Sequence, residues 1–553
     1  MAPSMGRISA SLVLSSRSPR RFSSSSSSPS RAVVTMNTYS VSSSSSSSSQ
    51  RQSSASSSRS YPKALEKLAL LQSNRATTQL FNRQQTPCEL NAAAIPEMLD
   101  WLRRAGYAPA DLAGLRHIHV AGTKGKGSVC AYATAMLREH YGGGGGGGGG
   151  GNSVGTYTSP HLVSPRERIA IDGEPVSQDV FASAFFELWD RFTAAATNTG
   201  TMSAAEAEGP ATKPFFSRFM TILAWHIFLT RGVRNVVLEV GIGGEYDATN
   251  VVPAEAVSAA VITQLGIDHV AMLGKTVEEI SWHKAGVLKP GLTGFTRRLA
   301  GQPDVMKMLR ARAAEKQATL VEVDDEAVER WAGVQGSLKG AFQKYNQALA
   351  VLAVRKHIGL QDSSRSPDAA LLRDLSPELI RGLQTAKLRG RCEVMDQEDA
   401  IWLLDGAHTH ESLDEVARWL AASVQPGETL TLVFNQQERN ASQLLESFLA
   451  AVRREMGGRS NVFSHALFTR NDHEPTPPGE VVDMAVQDAA EATMNEVAPE
   501  CQTQKMTNIA DTVAEARRIA GQQQAGPKPK VLVTGSLHLV GGILRALEPD
   551  VLL

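Results

Sequence analysis

His117-Ile-His-Val-Ala121, followed at once by Gly122-Thr-Lys-Gly-Lys-Gly-Ser128, is the stretch that decides how this chain folds. The first five residues form a short run with strand character, and Val129 to His140 beyond the glycines has helical spacing. A glycine-rich turn between strand and helix is the setting a phosphate-binding loop requires. Glycines let the backbone curl until several N–H groups point inward, and the helix behind adds its positive end. Lys126 is placed to reach terminal phosphates as a point charge, and Ser128 to offer a hydroxyl to a magnesium ion. The match to G-x-x-x-x-G-K-[ST] is inexact, because Gly127 stands between Lys126 and Ser128. Taken alone, the motif also describes a glycine turn capping a helix.

Working outward, Ala64 to Leu71 and Ala92 to Ala105 show helical spacing, and Val236 to Val240 and Val257 to Leu265 read as strands. Helical segments separate the strands, as in a parallel α/β sheet. One strand carries Glu239 at its end and runs into Gly241-Ile-Gly-Gly244, so an acid and a close-approach turn meet where a phosphate loop's magnesium would lie. The other is followed by Gly266-Ile-Asp-His269; loops just beyond parallel strands are where such sheets gather ligands. From Leu388 a second set begins. Ala400 to Leu404, Thr429 to Phe434 and Val531 to Thr534 read as buried strands, Ser412 to Ala422 as a helix, and 472–482 and 520–529 as surface loops. The expected domains are therefore 61–386 and 387–553.

Residues 1–60 stand apart. They hold long serine runs, seven arginines and no acid, the first being Glu66. That composition describes a disordered tail and equally an organelle transit segment. The ten glycines of 142–151 read as a flexible loop tolerated at the surface. Basic and acidic residues balance at 56 each, which removes the broad electrostatic case for a nucleic-acid partner. No apolar stretch is long enough for a membrane-spanning helix. Cys88, Cys130, Cys392 and Cys501 are scattered, so neither a disulfide framework nor a zinc site is indicated.

A series of motifs in fixed order resembles the folylpolyglutamate synthases, a branch of the Mur ligase superfamily. They are His119 to Ser128, Thr158-Ser-Pro-His-Leu162, Arg166-Glu-Arg-Ile169, Glu239 to Gly244 with Asp247, Thr249 and Asn250, Leu265 to His269, His283-Lys-Ala-Gly286, Leu404-Asp-Gly-Ala-His408 and Val531 to Gly542. The resemblance implies an α/β protein with an N-terminal P-loop ATPase domain and a smaller Rossmann-like C-terminal domain. It implies ATP-dependent addition of L-glutamate to reduced folate polyglutamates through an acyl phosphate, with two Mg2+ ions and room for a monovalent cation. Gly125, Lys126, Gly127 and Ser128 then hold the ATP phosphates, Asn346 contacts adenine, and Arg391 and Asp405 reach the nucleotide from the second domain. Ser159 and Glu239 hold one magnesium ion, and His269 belongs to the second. Lys284 matches a lysine that related ligases carbamylate to bind that metal. Lys126, Lys284 and His408 carry the chemistry. A monomer in mitochondrion and cytoplasm is the implied setting.

Arg166 and Arg168 either meet the anionic folate tail or form a solvated face on an edge strand. Two positions depart from the family pattern: Phe342 stands where a histidine is usual before Gln343, and Glu245 follows the paired glycines. Three other readings compete: a dihydrofolate synthase, a nucleotide-binding regulatory module, and a nucleic-acid-stimulated ATPase. The second would not need Lys284 or His269, and charge balance disfavours the third.

Overall fold

The computed structural model describes residues 59–72, 87–142, 152–198, 200–360, 372, 374–425, 427–436, 440–475, 482–522 and 527–549. The serine-rich segment up to residue 58, the glycine tract from residue 143 to 151 and most of the loop expected at 472–482 lie outside them. Arg59 and Ser60, at the end of the segment expected to be disordered, are described, and Arg59 pairs with Asp190 on the surface.

Two sheets share one compact unit of contacts. The first runs β1 (Arg116–Ala121), β2 (Val154–Tyr157), β3 (Ile169–Ile171), β4 (Glu174–Pro175), β5 (Asn235–Glu239), β6 (Val257–Ile262), β7 (Thr293–Arg298) and β8 (Thr319–Asp324), in the spatial order β4-β3-β2-β5-β1-β6-β7-β8. Its central strands are parallel, while β2-β3 and β3-β4 are antiparallel. The short extension turns at Asp172-Gly173, both with positive φ, a conformation glycine takes without strain. The second sheet contains β9 (Glu393–Asp396), β10 (Ile401–Leu404), β11 (Leu430–Phe434), β12 (Phe463–Thr469), β13 (Gln502–Met506) and β14 (Lys530–Thr534), ordered β13-β12-β11-β14-β10-β9. Only β9 runs antiparallel to its neighbour.

Strand side chains alternate between two cores, as a period of two requires. Val236 and Leu238 face one core with the aromatic helices Gln178–Thr197 and Phe216–Thr230, and Val237 faces the other with helix Lys126–His140. Leu403, Leu432 and Leu532 take one side of the second sheet, and Leu404, Val433 and Val533 the opposite side. Both sheets are thus covered on both faces, the doubly wound arrangement of α/β folds. Helix bounds differ from expectation mainly at the ends: the first described helix is Tyr61–Leu70, and helix Ile509–Gln522 enters the region read as a loop from 520. No described helix is long and apolar enough to cross a membrane.

Candidate active site

Four loops leave the same ends of four adjacent strands. In the order β2-β5-β1-β6, the strand ends and the loops that follow them bring Ser159, Glu239, the loop Gly122–Ser128 and His269 to one edge. Register makes this close: Val120 lies opposite Glu239, and the Val240 N–H donates to the Val120 carbonyl. The phosphate loop enters helix Lys126–His140 through Gly125 at φ 86°, a left-handed conformation. A methyl group there would meet the Asn346 Oδ1 at 2.3 Å, so the glycine also lets that amide approach.

The loop is tied on three sides. Thr123 donates to the Gly266 carbonyl at 3.1 Å, and the Thr123 N–H donates to the Gln264 carbonyl, which locks it to the segment leading to His269. Gln343 donates to the Ser128 hydroxyl at 3.4 Å and accepts from the Asn346 amide at 3.0 Å. The glutamine of the atypical Phe342-Gln343 pair therefore joins the loop, while Phe342 packs against the core of the C-terminal sheet. Two ammonium groups converge on one atom: Lys126 Nζ and Lys284 Nζ both donate to the Gly122 carbonyl, at 3.1 and 3.0 Å. Lys284 is 2% exposed. Burial first, then the Lys126 charge, push its amine down to about 7.

Glu239 is 3% exposed and accepts from the Ser159 N–H at 3.2 Å. Burial raises its carboxyl, opposed by the Lys126 charge. His269 has φ 51° and caps a four-residue helix; burial lowers its ring, and Lys126, Lys284 and Lys124 add to that lowering against Asp268. Lys126, Glu239, His269 and Lys284 thus occupy one neighbourhood.

The opposite wall comes from the second sheet. Asp405, just past β10, accepts the N–H groups of Cys392 and Ala407 at 2.7 and 2.9 Å, and Arg391 opposes the rise that burial imposes on its carboxyl. Arg391 also acts electrostatically on Glu239 across the gap. His408 Nδ1 lies 2.9 Å from the Gly406 carbonyl. A carbonyl only accepts, so Nδ1 carries the proton and Nε2 is the basic nitrogen. Between the walls lies a cleft of about 1300 Å³, which Lys126, Ser128, Ser159, Glu239, His269, Asn346, Arg391, Asp405 and His408 all line. Lys284 lies beneath the loop instead of on the cleft wall.

Some expectations need correction in detail. Arg166 and Arg168 belong to the 3-10 turn Pro165–Arg168, not to an edge strand. Arg168 lines the cleft, donating to His161 at 2.9 Å and lying over the Phe216 ring, whereas Arg166 donates to the Val176 carbonyl away from it. Glu245, the second departure from the family pattern, pairs with buried Arg312 at 2.6 Å and with Lys316 at 2.9 Å, which gives it an architectural place. Sequence reasoning missed Arg297, which lines the cleft 3.8 Å from the Tyr345 ring centre; nothing in its surroundings in the chain marks it.

No family model matches the chain. The folylpolyglutamate synthase of Neurospora crassa is 36% identical to it over 507 residues, covering 89% of this chain and 92% of the relative. The chain belongs to the folylpolyglutamate synthase family. A folylpolyglutamate synthase of Saccharomyces cerevisiae is 33% identical over 500 residues, covering 88% of this chain and 86% of the relative. Among solved structures, the Mycobacterium tuberculosis folylpolyglutamate synthase complexed with ADP and AMPPCP aligns with a TM-score of 0.61 at 23% identity, covering 83% of this chain and 95% of that one. A bifunctional folylpolyglutamate synthase/dihydrofolate synthase from Yersinia pestis, complexed with AMPPNP and a manganese ion, gives 0.55 at 23% identity, covering 82% and 93%. These likenesses show a shared two-domain fold. As a member of this family, the chain is an ATP-dependent ligase joining glutamate to folate.

Proposed function

We propose that the enzyme phosphorylates the terminal γ-carboxylate of a reduced folyl-(poly)glutamate and joins L-glutamate to the resulting acyl phosphate. The observation that supports this most is the gathering of Ser159, Glu239, Gly122–Ser128 and His269 at one sheet edge, facing Arg391, Asp405 and His408. A carboxylate resists attack by an amine at neutral pH. In the first step a carboxylate oxygen attacks the γ-phosphorus and ADP leaves. In the second the amino group of glutamate attacks the acyl carbon and phosphate leaves.

The first step brings two anions together, and Lys126 neutralises charge as it builds. Gly125 to Ser128 hold the phosphates through backbone N–H groups, and Asn346 meets the adenine. Arg391 and Asp405 draw the 387–553 half over the 61–386 half, excluding the water that would hydrolyse the acyl phosphate. His408 Nε2 takes the proton from the attacking amine.

Among the described residues no three His, Cys, Asp or Glu side chains form a ready metal cage. Magnesium needs few protein ligands, completing its shell with phosphates and water, so Glu239 with the Ser159 hydroxyl fits one ion. His269 and Lys284 fit a second only if Lys284 is carbamylated, since two ammonium groups already share the Gly122 carbonyl. The metals supply charge neutralisation for the meeting of phosphate and carboxylate. The arginine-rich, acid-free composition of residues 1–60 supports a mitochondrial form of the enzyme beside a cytoplasmic one.

Incorporation of radiolabelled glutamate with ATP, offered tetrahydrofolate or dihydropteroate, tests the reading. Labelling of tetrahydrofolate is expected; labelling of dihydropteroate alone, or of neither, overturns it.

A further inference from the structure

The cleft has an arm that the chemistry above leaves unused. It runs from the phosphate loop along helix Lys126–His140, whose Ala131, Thr134 and Arg138 line it. The near wall is the segment joining the two halves. A methyl group on Gly382 would meet the Met136 backbone at 2.5 Å, and one on Gly127 would meet Leu388 Cδ2 at 3.4 Å. The segment between therefore passes antiparallel to the helix and brings Lys387 to the arm. The floor holds Thr134 and Thr156, whose hydroxyls are 2.6 Å apart. Arg138 stands about 16 Å from Gly127 along the axis, at about 1.5 Å per residue. Its guanidinium donates to the Asp172 carbonyl at 3.1 Å, and no carboxylate pairs with it among the described residues. Lys387 is exposed, and Glu174, the first residue of β4, is an acid on the rim near Arg138.

We propose that this arm is the track for the γ-linked glutamate chain of the folate, with Arg138 and Lys387 pairing with its α-carboxylates. The inference rests on the ligase reading above. A γ-glutamyl repeat extends about 6 Å, since five backbone bonds separate successive nitrogens. With a terminal carboxylate at the phosphate loop, the second or third repeat outward comes level with Arg138. Alanine and threonine leave room for a polar chain without fixing its side groups, and the two cations supply attraction that grows with each added carboxylate. Glu174 opposes the chain at the outer end and so limits how strongly long tails are held.

The test uses the full chain, ATP and tetrahydrofolate substrates bearing one or five glutamates. The readout is the ratio of kcat/KM for the pentaglutamate to that for the monoglutamate. In Arg138→Gln and in Lys387→Glu the ratio falls at least about fivefold, chiefly through KM, and falls further at low salt. Lys387 is exposed, so its substitution does not hinge on refolding. Glu174→Gln raises the ratio. An unchanged ratio in both cation variants, with activity present, overturns the track; absence of glutamate transfer to every folate by the unaltered chain instead overturns the ligase reading.

Discussion

The Gly122 carbonyl, with Lys126 and Lys284 both donating to it, is the residue-scale centre of the account. Lys126→Ala is expected to lower kcat/KM at least about 100-fold with circular dichroism unchanged, because a preorganised charge at the transferring phosphoryl group is lost. Lys284→Ala is expected to lose activity and to regain part of it with short carboxylic acids, which replace the carbamate oxygens. Full activity in the unrescued variant would exclude that role. A third expectation concerns His117, fully buried at the foot of β1. Its Nδ1 donates to the Ala256 carbonyl, Nε2 has no hydrogen-bond partner among the described residues, and burial holds the ring down to about 4. The neutral ring is favoured in the fold, so this contribution is complete above the unfolded value of about 6.5 and is lost as pH falls towards about 4, at about 1.4 kcal/mol per pH unit. Urea midpoints measured from pH 7 to 4.5 should fall less steeply in His117→Gln; equal slopes would contradict the assignment. Of these residues, Lys126 was legible from its loop, whereas the Lys284 contact spans 162 positions and leaves no local pattern. Only the resemblance marked Lys284.

At the scale of elements, strand order turns separate motifs into one site. The individual strands β1, β5 and β6 were readable from short apolar runs, Glu239 from its place at the end of one and His269 from the loop that follows another. What the chain does not announce is that β5 and β6 flank β1, because order in a sheet depends on crossovers and not on local propensity. The antiparallel extension β3-β4 also escaped notice: five strand residues give too short a pattern to register. Helix packing is testable at Gly382, where helix Pro377–Thr385 crosses helix Lys126–His140 with the Met136 backbone in its way. Gly382→Ala forces the helices apart and should cost about 1–3 kcal/mol in denaturant titration. No loss of stability would show that the crossing is looser than described.

Across the whole molecule, two doubly wound sheets present their strand-end loops to a common cleft. The first contributes the phosphate loop and the acid; the second contributes Arg391, Asp405 and His408. Phe342, packed on the second core, and Gln343, bonded to Ser128, stand side by side and connect the two halves through one turn. That arrangement explains why a family pattern can exchange histidine for Phe342 here: the position contributes apolar packing between halves. Arg391→Ala should raise the KM for ATP roughly tenfold while leaving the thermal midpoint of the free protein nearly unchanged, because its side chain faces the cleft. A large fall in midpoint with unaltered KM would assign Arg391 to architecture.

The central claim is that this cleft turns a folate carboxylate into an acyl phosphate. Turnover of a substrate labelled with 18O in its terminal γ-carboxylate tests it directly, by mass spectrometry of the phosphate released. One labelled oxygen per phosphate is the predicted result. Unlabelled phosphate, formed alongside glutamylated product, would contradict it.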